Sequence, residues 1–128
     1  VKVQSYEWGT FYNDVKTGNF QMATMRMVGV IDPDVYRDML ASTEYPPGRN
    51  RGFFSNKGFD SIVEQARLEL DPDKRRDLYQ KAQQIIIDEM PVIPLWYNSN
   101  ISVVSRRVKN FSPQVNGSFY PFLDVTKE

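Results

Sequence analysis

Two residue types that carry much of enzyme chemistry are missing from this 128-residue chain, which has no histidine and no cysteine. Without histidine there is no imidazole base, no middle member of a Ser-His-Asp triad, and the commonest metal ligand is gone. Without cysteine there is no thiolate nucleophile, no thiolate metal site and no disulfide. Carboxylates, guanidinium groups and ring hydroxyls remain. Asp32 and Asp34 stand two apart in Asp-Pro-Asp, a spacing that opens a helix and does not straddle a glycosidic bond. Glu64, Glu69, Asp73 and Asp77 mix with Lys74, Arg75 and Arg76 in the manner of solvated helix faces. Asp88 and Glu89 offer no metal pattern, and the glycines form no phosphate cradle. The inventory points to recognition rather than catalysis: not an enzyme, with no cofactor and no metal.

Four side chains are the candidates for recognition. Arg26 stands among apolar neighbours, and a buried arginine must be paired. It is either a structural ion-pair member or the anion-binding group for a ligand carboxylate. Asp32 is best explained as a helix N-cap, and either it or Asp34 is the carboxylate available for a ligand cation. Tyr45, beside Pro46 and Pro47, could stack on a ligand or only pack its turn. Arg49, which with Arg51 flanks Asn50 in a Pro-Gly loop, is solvated charge on the plain reading and an anion contact on the sharper one.

The elements that must position these groups are written in the hydrophobic spacing. Val1 to Tyr6 alternates as a short strand, and Trp8 to Lys16 carries Trp8, Phe11, Tyr12 and Val15 on one helical face, with Gly18 as its stop. Phe20 to Ile31 reads as a strand apolar on both faces. Asp32-Pro33-Asp34 opens a short helix over 35–41 with Val35, Met39 and Leu40 inward, and residues 42–58 are a loop rich in turn formers. Phe59, Ile62, Val63, Ala66 and Leu70 define a third helix. Asp71 caps a fourth, with Pro72 at its first position and Leu78, Ala82, Ile85, Ile86 and Met90 inward, and Pro91 ends it. Val92 to Tyr97 and Ile101 to Ser105 read as paired antiparallel strands, with one of Trp96 and Tyr97 facing the core. The tail from Arg106 is irregular, and Phe111, Phe119, Tyr120 and Phe122 are expected to pin it. The order is mixed α/β without a complete sheet.

Sixteen basic residues balance sixteen acidic ones, so no global field favours nucleic acid. At 41% hydrophobic and 25% charged the composition is that of a soluble folded chain. No apolar run approaches the roughly 20 residues that span a bilayer. The chain starts at Val1 and shows no charged, apolar leader, so it reads as processed, truncated or excised.

Four stretches in order carry a family resemblance: YEWGTFYNDVKTGNFQM (6–22), MVGVIDPDVY (27–36), NRGFFSNKGFDSIVEQARLELDPDKRRDLYQKAQQIIIDEMPVIPLWY (50–97) and RRVKNFSP (106–113). Together they resemble the C-terminal portion of the bacterial extracellular solute-binding proteins of family 5, which capture oligopeptides, dipeptides or nickel complexes for ABC importers. The resemblance implies a piece of a two-lobed, type II-like periplasmic binding fold, a mixed sheet with flanking helices. It implies residues 1–24 at the end of the second lobe, 25–31 crossing the hinge, and 32–128 as the C-terminal part of the first lobe. A small polar solute or short peptide is then bound between the lobes without catalysis, with Arg49 near the cleft mouth. The permease subunits are the partners, and the compartment is periplasmic or extracellular, with a lipid anchor conceivable in the full-length parent. One departure stands out. Peptide-binding members commonly carry an aspartate shortly before Asp-Pro-Asp that pairs with the peptide α-amino group, and here Gly29, Val30 and Ile31 occupy that place. The alternative reading is a stand-alone interaction module that self-associates through exposed apolar surface.

Overall fold

A computed structural model describes residues 2–27, 29–114 and 116–128, so Val1 and Val28 of the expected strands lie outside it. Helices dominate, and each starts and stops for a local reason. In α1 (Trp8–Thr17) the carboxylate of Glu7 accepts from the backbone N–H of Gly9 and Thr10, satisfying donors that no helical carbonyl reaches. Gly18 ends it at φ 77°, the left-handed region where a side chain is strained. A Cβ there would also lie 2.6 Å from the Phe53 ring.

The short α2 (Val35–Leu40) leads through a 3-10 turn, Ser42–Glu44, into the long loop. Asn56 caps α3 (Lys57–Leu68) by accepting from Phe59 N. Asp71 caps α4 (Pro72–Glu89) by accepting from Asp73 N and Lys74 N, with Pro72 in the first turn. Met90, left-handed at φ 49°, closes α4 before Pro91.

Two compact units emerge, residues 1–24 with 32–93, and residues 25–31 with 94–128. The first holds the core: Leu40, Ala41, Phe59, Val63, Ala82 and Ile86, with Met39, Phe54, Ile62 and Ile85 packed against it. Phe54 meets Phe59 edge-on at 5.7 Å. The loop is closed onto this core by Asn50, which is fully buried. Its amide nitrogen donates to the carbonyls of Leu40, Ala41 and Phe54, and its Oδ1 accepts from Phe54 N. A buried amide so occupied costs little, whereas an unpaired one would be expensive. Arg37 joins α2 to α3 through Glu64 at 2.6 Å and reaches Glu44 at 2.9 Å.

The second unit holds two short antiparallel strands, β1 (Val108–Lys109) and β2 (Thr126–Lys127), and a 3-10 turn over Tyr120–Asp124. Phe122 packs on Phe111 at 5.2 Å and on Phe119 at 6.0 Å.

Several expectations are corrected. The helices fall where the spacing put them, but residues 2–6, 20–31, 92–97 and 101–105 form no strand among the described residues. A helix satisfies its backbone groups within itself, whereas a strand exists only beside a ladder partner. Residues 20–31 are not covered on both sides, since Met22 and Ile31 are largely exposed. Trp96 and Tyr97 both face solvent, where one was expected inside. Leu70 lies exposed in the α3–α4 connection, and Met90 turns outward in its left-handed cap. Tyr79 takes the buried place on α4, while Leu78 is half-buried. In the tail, Phe119, Tyr120 and Phe122 are exposed, and the phenylalanines hold one another rather than a body beneath them.

Candidate functional site

Arg26 is exposed rather than buried, because the segment that carries it has no covering layer among the described residues. Its Nη2 donates to Asn100 Oδ1 at 3.4 Å, and Asn100 Nδ2 donates in turn to the Gln114 carbonyl at 3.0 Å. Around this pair the second unit forms an open pocket of about 470 Å³, within the size range of small-ligand sites. Arg26, Asn100, Ser102 and Ser118 are among its polar lining residues, and Phe111 and Phe122 among its apolar ones. One guanidinium, hydroxyls and two rings suit a small molecule with a carboxylate at one end and an apolar group at the other.

Asp32 belongs to a different constellation, in the first unit. Arg75 of α4 grips it with two bonds, Nη2 to Oδ1 at 2.8 Å and Nη1 to Oδ2 at 3.2 Å. Asp32 Oδ1 also accepts from Asp34 N at 2.8 Å, so it caps the turn that opens α2. Arg75 Nε donates to the Ala66 carbonyl, its guanidinium lies 4.9 Å from the Tyr79 ring centre, and its Nη2 is 3.4 Å from the Tyr79 hydroxyl. That hydroxyl donates to Asp34 Oδ1 at 3.0 Å. Hydrogen bonding from Arg75, then from the Asp34 amide, holds the Asp32 carboxyl below its usual range. The Arg75 guanidinium is raised in return, chiefly by Asp32. Burial, followed by the bond to Asp34, pushes the Tyr79 hydroxyl up to about 12.

Tyr45 packs on Phe53 with ring centres 5.4 Å apart. Arg49 is largely exposed, and its nearest carboxylate is Asp38 at 3.9 Å. Thus three of the four candidates lie in the first unit on separate partners, and Arg26 lies in the second. Reading the sequence missed Arg75 and Tyr79, whose partners Asp32 and Asp34 are more than forty residues away. It also missed a stack in which Trp8 lies on Tyr12 at 5.5 Å and Arg51 sits 5.1 Å from the Tyr12 ring centre. The Trp8–Tyr12 half was within reach, as i,i+4 aromatics share a helix face. The long-range halves leave no local signal.

No family model matches the chain. Curated relatives do. It is 29% identical over 123 residues to di/tripeptide-binding protein 1 of Pseudomonas aeruginosa, covering 94% of this chain and 23% of that protein. It is 30% identical over 112 residues to the dipeptide-binding protein DppE of Bacillus subtilis, covering 85% and 20%. With the periplasmic murein peptide-binding protein MppA of Escherichia coli the identity is 28% over 112 residues, covering 87% and 20%. Among solved structures, the ABC transporter-associated periplasmic binding protein DppA from Helicobacter pylori, in complex with the peptide STSA, superposes with a TM-score of 0.82. The identity there is 27%, over 99% of this chain and 25% of that one. The chain therefore spans about a fifth to a quarter of the length of the proteins it matches.

Proposed function

Since this chain belongs to the extracellular solute-binding proteins of family 5, alongside dipeptide- and oligopeptide-binding proteins, we propose that it forms part of the solute-capture component of an ABC importer. The observation that carries this reading is the likeness, over nearly its whole length, to a periplasmic binding protein holding a peptide. Capture is non-covalent: the protein binds a short peptide between two lobes, in the periplasm or at the cell exterior, and hands it to the permease subunits. The relatives are named as binding proteins, which supports capture without catalysis.

The two compact units support an assignment to the two lobes, with the chain passing between them near residues 24, 31 and 93. On this assignment residues 1–24 and 32–93 belong to one lobe, and 25–31 and 94–128 to the other. A ligand that contacts both lobes only when they are closed favours that state, so binding and closure are one equilibrium. Arg26 is assigned to the ligand's carboxylate, since its pocket offers a cation beside aromatic rings. Tyr45 and Arg49 are assigned to the cleft mouth, where a ring and an exposed guanidinium can meet a ligand's flank. The carboxylate of Asp32 is already gripped by Arg75, so its part in binding is indirect.

The test is thermal unfolding of the full two-lobed protein, and then of the 128-residue chain, against short peptides, amino acids and metal chelates. A ligand specific to the folded state raises the midpoint by RT ln(1 + [L]/Kd), about 2.7 kcal/mol at a hundredfold excess over Kd. A shift with short peptides in the full protein and none in the chain alone is expected. A full protein that no solute shifts overturns the reading.

A further inference from the structure

We infer that Arg75 and Asp32 form a hinge clamp, positioning residues that fix where the chain leaves the 25–31 segment and re-enters the helical unit. This rests on the two-lobe reading above and adds residues that touch no ligand.

The argument starts from connectivity. Residues 25–31 belong to one compact unit and Asp32 to the other, so the chain passes between the units at the Ile31–Asp32 peptide bond, taken here as the pivot of the two-lobe reading. On its near side, Val30 and Ile31 are exposed. On its far side the backbone is held at once. Asp32 is gripped by both terminal nitrogens of Arg75, and its Oδ1 accepts from Asp34 N. The Asp32 carbonyl accepts from Val35 N, and the Pro33 carbonyl from Tyr36 N. Pro33 restricts its own φ and the conformation of Asp32.

Arg75 is itself immobilised. It stands on α4, donates through Nε to the last turns of α3 at Ala66, and lies over the ring of Tyr79, whose hydroxyl binds Asp34. Two parallel N–H···O bonds fix direction as well as distance, which a lysine cannot reproduce. A surface ion pair needed only for solubility would not be bidentate, stacked and tied to two helices. The clamp thus gives the pivot a rigid floor, and hinge residues of this kind change binding without touching ligand.

The test uses the full two-lobed protein carrying this sequence. With any cysteine outside these 128 residues replaced, Lys81→Cys and Lys109→Cys give one dye site in each unit. Single-molecule energy transfer in unliganded protein then reads the spread of distances between the units. Arg75→Ala, Arg75→Lys and Asp32→Asn are each expected to broaden that spread. The milder pair guards against a variant that fails to fold. Peptide affinity is expected to fall about five- to tenfold in the single variants, the scale of an ordinary coupling between sites. Variants that fold, melt earlier and keep the parent's spread and affinity would overturn the clamp and leave a purely structural ion pair. The two-lobe reading has its own control. If a peptide that raises the parent's melting midpoint leaves the distance unchanged, that reading falls, whatever the variants do.

Discussion

The helices α3 and α4 and the segment 91–105 are both rich in large apolar residues, yet they end in opposite environments. Phe59, Val63, Ala82 and Ile86 are buried between helices, while Ile93, Leu95, Trp96, Tyr97, Ile101 and Val103 stand in solvent. Hydrophobicity does not separate them. What does is where the backbone bonds can go. A capped helix closes its own ladder and needs only one neighbour for its apolar stripe. A strand needs at least one neighbouring strand for its ladder, and a layer packed on the sheet, before its side chains have a face to bury. The helical region therefore carries its structure within itself, and the segment 91–105 carries only half of one.

The sharpest way to break this contrast is to hollow the helical region. Phe59 is fully buried and meets Phe54 and the α4 stripe, so Phe59→Ala removes a ring and leaves a cavity. A loss of about 3–5 kcal/mol is expected in denaturant unfolding of the chain. A loss under about 1 kcal/mol would mean that this core does not hold the unit together.

Next in size is alkaline pH. The Tyr79 hydroxyl rises from an ordinary 10.0 to about 12 in the folded chain. A raised folded value means the folded state holds its proton more tightly than the unfolded one. That stability is complete below pH 10 and is lost as pH climbs through 12. The shift corresponds to something of the order of 2 kcal/mol. Tyr79→Phe should therefore flatten the fall in stability over this window relative to the parent, measured by urea midpoints at stepped pH. Equal slopes would show that this hydroxyl is not protected.

These differences mark how far the sequence could be read. Asp71, Pro72 and Pro91 announced the ends of α4, and Gly18 the end of α1, because caps act within a few residues. Phe59, Ile62, Val63 and Ala66 announced the core face of α3 by spacing alone. The spacing erred at Leu70 and Met90, which fall just outside their helices, where the periodicity no longer applies. It also gave Leu78 the place that Tyr79 fills, since an aromatic with a hydroxyl partner can enter where a pattern of aliphatics would not predict it. The candidate site was less legible. Arg26 was singled out because its charge is unusual among apolar neighbours. The Arg75–Asp32 grip was not, because its members are brought together by folding and not by spacing.

A smaller effect refines the same comparison at a helix end. Asp71 accepts from Asp73 N and Lys74 N, so Asp71→Ala exposes two donors without touching the core. About 1 kcal/mol is expected. The loss should appear as faster amide exchange confined to the first turn of α4. Exchange spread evenly through α3 and α4 would mean that the cap sets the whole pair rather than its own end.

The smallest effect is the most discriminating, because it asks what the exposed segment is waiting for. In the 128-residue chain Trp96 and Tyr97 lie in solvent, so Trp96→Ala and Tyr97→Ala should each change stability by less than about 0.5 kcal/mol. In a two-lobed protein with the same sequence, the mixed sheet that the family resemblance implies would take this segment as one of its strands. At least one of the two substitutions should then cost about 2–4 kcal/mol, as for other buried aromatics. The same residue would be silent in one context and decisive in the other, with no change in its own chemistry. Silence in both contexts would mean that the segment is a surface in its own right, and the contrast with the helices would no longer be one of missing neighbours.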